Sequence, residues 1–130
     1  MNVVVMFQKQ FVTAVANGSK PHTIRPIRKG RSLDSHANQI KAGDTLSLRH
    51  WAGKAYRSKH VLIKNVVCTR ASDIEITENT IVARGIKLGP VERETLAVAD
   101  GFKNYDAMMQ WFKSTHGLPF TGRLIEWESV

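Results

Sequence analysis

Strand-like runs recur from one end of this chain to the other, and helical spacing interrupts them only near each end. Val3 to Phe7 is short, apolar and β-branched, the pattern of a strand. His22 to Arg28 alternates after Pro21. Thr23, Arg25 and Ile27 would share one strand face, and His22, Ile24 and Pro26 the other. Gly43-Asp44 leads into the alternating run Thr45 to Leu48, Gly53 to Ser58 reads as a turn, and Lys59 to Arg70 is a long β-branched strand signal. Ile74 to Ile76, Ile81 to Ala83 and 85–89 are short strand candidates, and Phe120 to Glu128 closes the chain with alternation. Helical spacing is confined to three places. Phe11, Val12, Val15 and Ala16 form a short stripe that Asn17-Gly18 can end. Val91 to Ala99 follows Pro90 and carries Glu92 and Glu94 in its first turn, where the helix dipole favours acids. Tyr105, Met108, Met109 and Phe112 fall at i, i+3, i+4 and i+7, with Asn104 as N-cap and Gly117 beyond the end, which reads as core packing. The polar stretch 29–43 reads as a long loop, a kind of segment that is often functional in a small domain. The expected class is α+β: a small, mostly antiparallel β-barrel of five or six strands with two or three flanking helices.

A chain of 130 residues fits one domain, spanning 1–130, with enough buried surface for a core without staples. Its single cysteine, Cys68, permits no internal disulfide and points to a reducing compartment. Within the run Val66-Val67-Cys68 that thiol is expected to be a buried strand residue, not a nucleophile. No run approaches the ~20 apolar residues of a membrane helix. The first residues lack the basic start of a signal peptide. The expectation is a cytoplasmic protein with no membrane partner. Lys and Arg number 19 against 11 acids, a formal charge of +8 and a pI of about 10.0. That balance favours a polyanionic partner, with RNA, nucleosides or nucleotides first. Dinucleotide, phosphate-loop, paired-cysteine and zinc-protease motifs are absent. The five histidines, His22, His36, His50, His60 and His116, fall at no metal-ligand spacing. Neither a cofactor nor a metal is expected.

The segment Gly18-Ser-Lys-Pro-His-Thr-Ile-Arg25 holds the most concentrated chemistry. A threonine hydroxyl is a poor nucleophile until a base takes its proton. A lysine is that base only when neutral, which needs burial or neighbouring positive charge. Arg25, Arg28 and Lys29 are near enough in sequence to supply such charge. Backbone N–H groups of the turn at Gly18–Lys20 would be available to an oxyanion. Residues 20 and 23 face opposite ways on a regular strand, so for both to reach one site Lys20 has to lie in the turn before the strand. Each residue also has an ordinary reading, as a turn lysine, a strand threonine and a salt-bridging arginine.

The pattern Gly18-x-Lys20-x-x-x-x-Arg25 resembles the signature of the ASCH family, relatives of the PUA barrel. The resemblance runs on through Gly43-Asp44, then Asp100-Gly101-Phe102, a helix carrying Trp111-Phe112, and Phe120-x-Gly122-x-Leu-Ile-x-Trp127. It implies a PUA-like barrel whose cleft faces RNA or a nucleobase. Small bacterial members are metal-independent amidohydrolases that remove the acyl group from the exocyclic amine of acylated cytidine. Their lysine and threonine match Lys20 and Thr23. Their glutamate best matches Asp100, a shorter acid that would reach if the backbone sits closer; Glu94 or Glu92 are the alternatives. The carboxylate would orient the lysine or relay a proton to the leaving amine. On this reading Lys20, Thr23 and Asp100 are catalytic, and Arg25 a supporting electrostatic residue.

A second function class also fits. Lys41, Arg49, His50, Trp51, Lys54, Tyr56, Arg57 and Lys59 interleave basic and aromatic side chains around one turn, as a non-catalytic RNA-binding module, or an RNA-cleaving family member, would. For an enzyme, Arg25, Arg28, Trp51, Lys54, Tyr56 and Arg57 are the candidate substrate-binding residues.

Overall fold

The structure is a computed structural model that describes residues 2–27, 39–54 and 57–129. Arg28 and Tyr56, both candidate substrate contacts, lie outside the described residues, as does most of the loop at 29–43.

Among the described residues seven strands form one sheet and three α-helices flank it. In chain order these are β1 (Asn2–Phe7), α1 (Val12–Asn17), β2 (His22–Pro26), β3 (Thr45–Trp51), β4 (His60–Ile76), β5 (Ile81–Ala83), β6 (Ile86–Lys87), α2 (Pro90–Ala99), α3 (Tyr105–Thr115) and β7 (Phe120–Ser129). A single 3₁₀ turn, Lys9–Phe11, precedes α1. Among the described residues all ladders are antiparallel except β1–β3, which is parallel.

The long strand β4 organises the sheet. One of its edges pairs first with β3, from His60 to Val67, and later with β5, from Ile74 to Ile76. Its other edge pairs with β7 from Val66 to Ile76. The β7 register shifts between Cys68 and Arg70, and such a bulge bends a strand and adds twist. The sequence reads as separate strands at 59–70 and 74–76. They are one, because β7 supplies partners straight across Ala71, Ser72 and Asp73.

The bend divides the interior. One cluster gathers Val3, Val5, Leu46, Leu48, Val66 and Trp127. The other gathers Ile74, Ile76, Met108, Phe112, Phe120 and Leu124. Phe102 and Trp111 pack against both. Met108 and Phe112 are buried as the helical stripe requires, each side chain contributing about 1.5–3 kcal/mol through its burial. Cys68 is buried in the first cluster, and burial pushes its thiol up.

Among the described residues the sheet is not closed into a barrel. The end strands β1 and β2 share no ladder among the described residues. The side chain of Arg25, on β2, reaches across this seam and donates from Nη2 to the carbonyl oxygen of Met6, on β1, at 2.5 Å.

Strand β2 is pressed against β7 at one point. A Cβ on Gly122 would stand 2.4 Å from the carbonyl oxygen of Arg25 and 2.7 Å from the Phe120 ring. Gly122→Ala is expected to force β2 off β7 and to cost about 1–3 kcal/mol, the usual range for overpacking. Urea unfolding of the variant checks this; a loss below 0.5 kcal/mol, about the noise of a surface change, contradicts the close approach.

Candidate active site

A cavity of ≈ 180 Å³ lies at the open seam between β1 and β2. Phe7, Phe11, Lys20, Thr23 and Arg25 line it from the N-terminal part of the chain. Asp100, Phe102, Trp111 and His116 line it from the C-terminal part.

Local structure brings Lys20 and Thr23 to the same place. Helix α1 ends at Gly18, whose φ of 85° turns the chain. The N–H of Lys20 then donates back to the Ala14 carbonyl at 3.0 Å. Lys20 thus sits in the turn, two residues before β2 begins at His22, which is the arrangement that lets it share a site with Thr23. Both are buried, at 2% and 4% exposure.

The carboxylate comes from eighty residues away. Asp100 caps the C-terminus of α2, where its N–H donates to the Leu96 carbonyl. Lys20 Nζ donates to Asp100 Oδ1 at 2.6 Å and to the Asp100 carbonyl oxygen, also at 2.6 Å. The short acid reaches because its own backbone lies against the lysine. Gly101 permits this approach: its φ is +98°, and a Cβ there would stand 3.0 Å from the Phe11 ring and 3.4 Å from Lys20 Cδ. The two other carboxylates are occupied elsewhere. Glu92 Oε1 accepts the N–H of Gly89 at the start of α2, and Glu94 Oε2 accepts the N–H of Tyr105 at the start of α3.

His22 is a partner that sequence reasoning missed. Its Nδ1 lies 3.1 Å from Asp100 Oδ1, the same oxygen that Lys20 holds. Strand alternation gives no sign of it, because His22 falls on the face opposite Thr23. The aromatic wall was also missed. Phe112 reads as core and is core, while Phe102 and Trp111, quoted only for the family resemblance, are partly buried against both clusters; all three face the cavity as well.

The electrostatics favour a reactive amine. Burial pushes the Lys20 ammonium below the ordinary lysine value of 10.5, outweighing the opposing pull of Asp100; Arg25 lowers it further. The Nζ also lies 4.9 Å from the centre of the Phe11 ring, whose face offers a desolvated cation partial compensation. Arg25 is half-buried, stands over Phe7 at 4.9 Å and donates from Nε to Thr23 Oγ1 at 3.2 Å. Desolvation brings its guanidinium down to about 10.

One expectation about the site is corrected by the geometry. The N–H groups of the Gly18–Lys20 turn are not oxyanion donors: Gly18 donates to Val15, Ser19 to the Asn17 side chain and Lys20 to Ala14. The turn consumes them in closing α1, which leaves Arg25 as the cation set against Thr23 Oγ1. Trp51, Lys54 and Arg57 do not line the cavity. They belong to the β3–β4 hairpin, where Trp51 stands edge-on to His60 at 4.4 Å and Lys54 and Arg57 are exposed. Among the described residues no three His, Cys, Asp or Glu side chains converge as a metal site would need, and no helix is long and apolar enough to cross a membrane. Comparison with protein-family models, curated proteins and solved structures finds no match to this chain.

Proposed function

We propose that this chain is an ASCH-like, metal-independent amidohydrolase that removes the acyl group from the exocyclic amine of acylated cytidine. One observation carries the reading: a buried lysine with a lowered pKa, held by a buried carboxylate, lines the same small cavity as a buried threonine. Such a lysine is costly to fold around, and its pKa is moved in the direction a general base needs. The size of the cavity agrees. An engineered apolar cavity of about 150 Å³ holds one benzene ring, so ≈ 180 Å³ accommodates one six-membered ring against Phe102 and Trp111.

The chemistry uses this chain's own groups. Neutral Lys20 takes the Thr23 hydroxyl proton as Oγ1 attacks the acyl carbonyl carbon. Arg25 stabilises the negative charge that forms there. The carbon–nitrogen bond breaks, and the Lys20 ammonium returns the proton to the departing amine of cytidine. Water, deprotonated by Lys20, then cleaves the acyl–Thr23 ester, the Lys20 ammonium returns that proton to Thr23 Oγ1, and the carboxylic acid leaves. Asp100 orients Lys20 throughout, and His22 shares its carboxylate. The net reaction is acylated cytidine plus water to cytidine plus acid.

The test is release of cytidine from acetylcytidine by purified protein with a chelator present. Equal yields of cytidine and acetate are expected; no cytidine at enzyme concentrations near that of substrate refutes the reading. The pH profile adds a sign. The base form of Lys20 is the neutral one, so kcat/KM rises as the pH climbs towards its folded pKa and levels off below 10.5. A rate still climbing tenfold per pH unit through pH 10.5 contradicts the role of Lys20. A non-catalytic RNA-binding module is the second reading. It is favoured by the hairpin cations that lie off the cavity, but it has no use for the buried Lys20–Asp100 pair.

A further inference from the structure

Two donors converge on one oxygen beside the cavity. Among the described residues, the side-chain donors to Asp100 are Lys20 Nζ at 2.6 Å and His22 Nδ1 at 3.1 Å, and both reach Oδ1. A carboxylate only accepts, so the hydrogen of the second contact is on Nδ1. All three residues are buried, at 2% exposure for Lys20, 5% for His22 and 3% for Asp100. Different elements hold them: the turn after α1, the first residue of β2 and the C-terminus of α2. The backbone of His22 is fixed by its ladder partner Glu126 on β7, so its place beside Asp100 does not depend on Lys20.

The two donors differ in what they do when Lys20 gives up its proton. The ammonium both neutralises Asp100 and donates to it. The neutral amine leaves a buried carboxylate without the cation that faced it, a state that burial strongly disfavours. That penalty draws the proton back onto Lys20. The Nδ1–H of His22 donates to Oδ1 in both states, and a hydrogen bond to the charged form of a carboxylate favours that form. Other charges stand around the trio. Arg25 on β2 lowers the Lys20 ammonium further. Glu126, opposite His22 in the β2–β7 register, is engaged by Arg84 and pairs in register with Arg70 of β4. His116 lines the cavity from the end of α3.

We propose that His22 is a positioning residue for the general base: it holds Asp100 Oδ1 while Lys20 is without its proton, and so lets the lysine be neutral beside a buried carboxylate. This deepens the amidohydrolase reading and rests on it for the use of the neutral amine. His22 does not itself line the cavity, and acts through Asp100.

The experiment titrates Lys20 directly and through turnover. Protein isotopically labelled at the lysine Cε positions is followed by NMR from neutral to alkaline pH, with the Lys20 signal assigned by its contact with the Phe11 ring. The same proteins are assayed for kcat/KM on acetylcytidine over that range. The variants are His22→Phe, which keeps a ring and deletes both nitrogens, and His22→Asn, whose amide N–H falls near the place of Nδ1. In His22→Phe the Lys20 midpoint is expected to rise by about one pH unit, the low end of what a neighbouring charge or hydrogen bond moves. Below that midpoint kcat/KM should fall about tenfold, as one unit is a factor of ten in the neutral fraction, and most of the loss should be recovered at high pH. His22→Asn should bring the midpoint back to within about half a unit of wild type. A purely structural role would lower the rate at every pH and leave the midpoint in place. If urea unfolding shows that His22→Phe is not folded, His22→Leu replaces it, with the same shift expected. An unshifted or lowered midpoint in the folded apolar variant overturns the inference, as does a His22→Asn midpoint no nearer to wild type. Turnover by wild type with an unshifted midpoint in that variant overturns this inference and leaves the amidohydrolase reading standing. A raised midpoint with no turnover by any of the proteins upholds the action of His22 on Lys20 and removes the chemistry.

Discussion

Thr23→Ala is expected to lower kcat/KM for acetylcytidine by about 10⁴-fold or more, because loss of the nucleophile from such a unit removes its joint action. The fold should survive. Thr23 lies on β2 within a ladder to Ile125 of β7 that needs only its backbone. What truncation removes is a small side chain and one hydrogen bond from Arg25, worth about 0.5–1.5 kcal/mol. Thr23→Val separates shape from chemistry, since it keeps the branched volume and deletes the hydroxyl. It should be as inactive as the alanine variant. Thr23→Ser keeps the hydroxyl and should retain measurable turnover. Steady-state kinetics on all three, with urea unfolding alongside, decides this. Comparable kcat/KM for valine and serine variants would remove Thr23 from the mechanism.

The second large effect is on stability. Removing Lys20 strands the Asp100 carboxylate at 3% exposure with His22 as its remaining side-chain partner. Breaking a buried pair in this way costs about 3–5 kcal/mol, a large part of the 5–15 kcal/mol that holds a typical domain together. Lys20→Met and Asp100→Leu are each expected to show such losses. The double variant should recover at least half of the summed loss, because neither charge is then left alone. Independent, additive losses would show that the pair is not coupled. The pH dependence has a defined sign. The Lys20 pKa is lowered on folding, so the unfolded chain binds the proton more tightly there. This residue's contribution to stability therefore rises with pH between its folded pKa and 10.5. An activity loss in Lys20→Ala carries a folding component, which makes Thr23 the cleaner probe of chemistry.

How much of this was legible in the sequence follows from what each element depends on. β1, β3, β7 and the α3 stripe depend on local periodicity, and the sequence shows them. The continuity of β4 through Ala71–Asp73 depends on β7, some fifty residues away, and no local pattern reports it. Where a barrel was expected, the described residues form a bent sheet with a cavity at the seam between β1 and β2, which Arg25 bridges to Met6; no local pattern reports that the two strands stay unpaired. Lys20 and Thr23 are neighbours in sequence and their shared site could be read, together with the requirement that Lys20 sit in the turn. Asp100 was reachable only through a family resemblance, because a contact across eighty residues leaves no local trace. Trp51, Lys54 and Arg57 were grouped with the substrate on charge and aromaticity alone. Those properties mark a surface, and topology places that surface beside the cavity instead of inside it.

Mass analysis of protein acid-quenched during turnover of acetylcytidine tests the central claim most directly. One acetyl group on the peptide that contains Thr23 is expected in the wild type, and none in Thr23→Val. Acetyl transfer to a different residue, or release of cytidine by Thr23→Val at the wild-type rate, would contradict it.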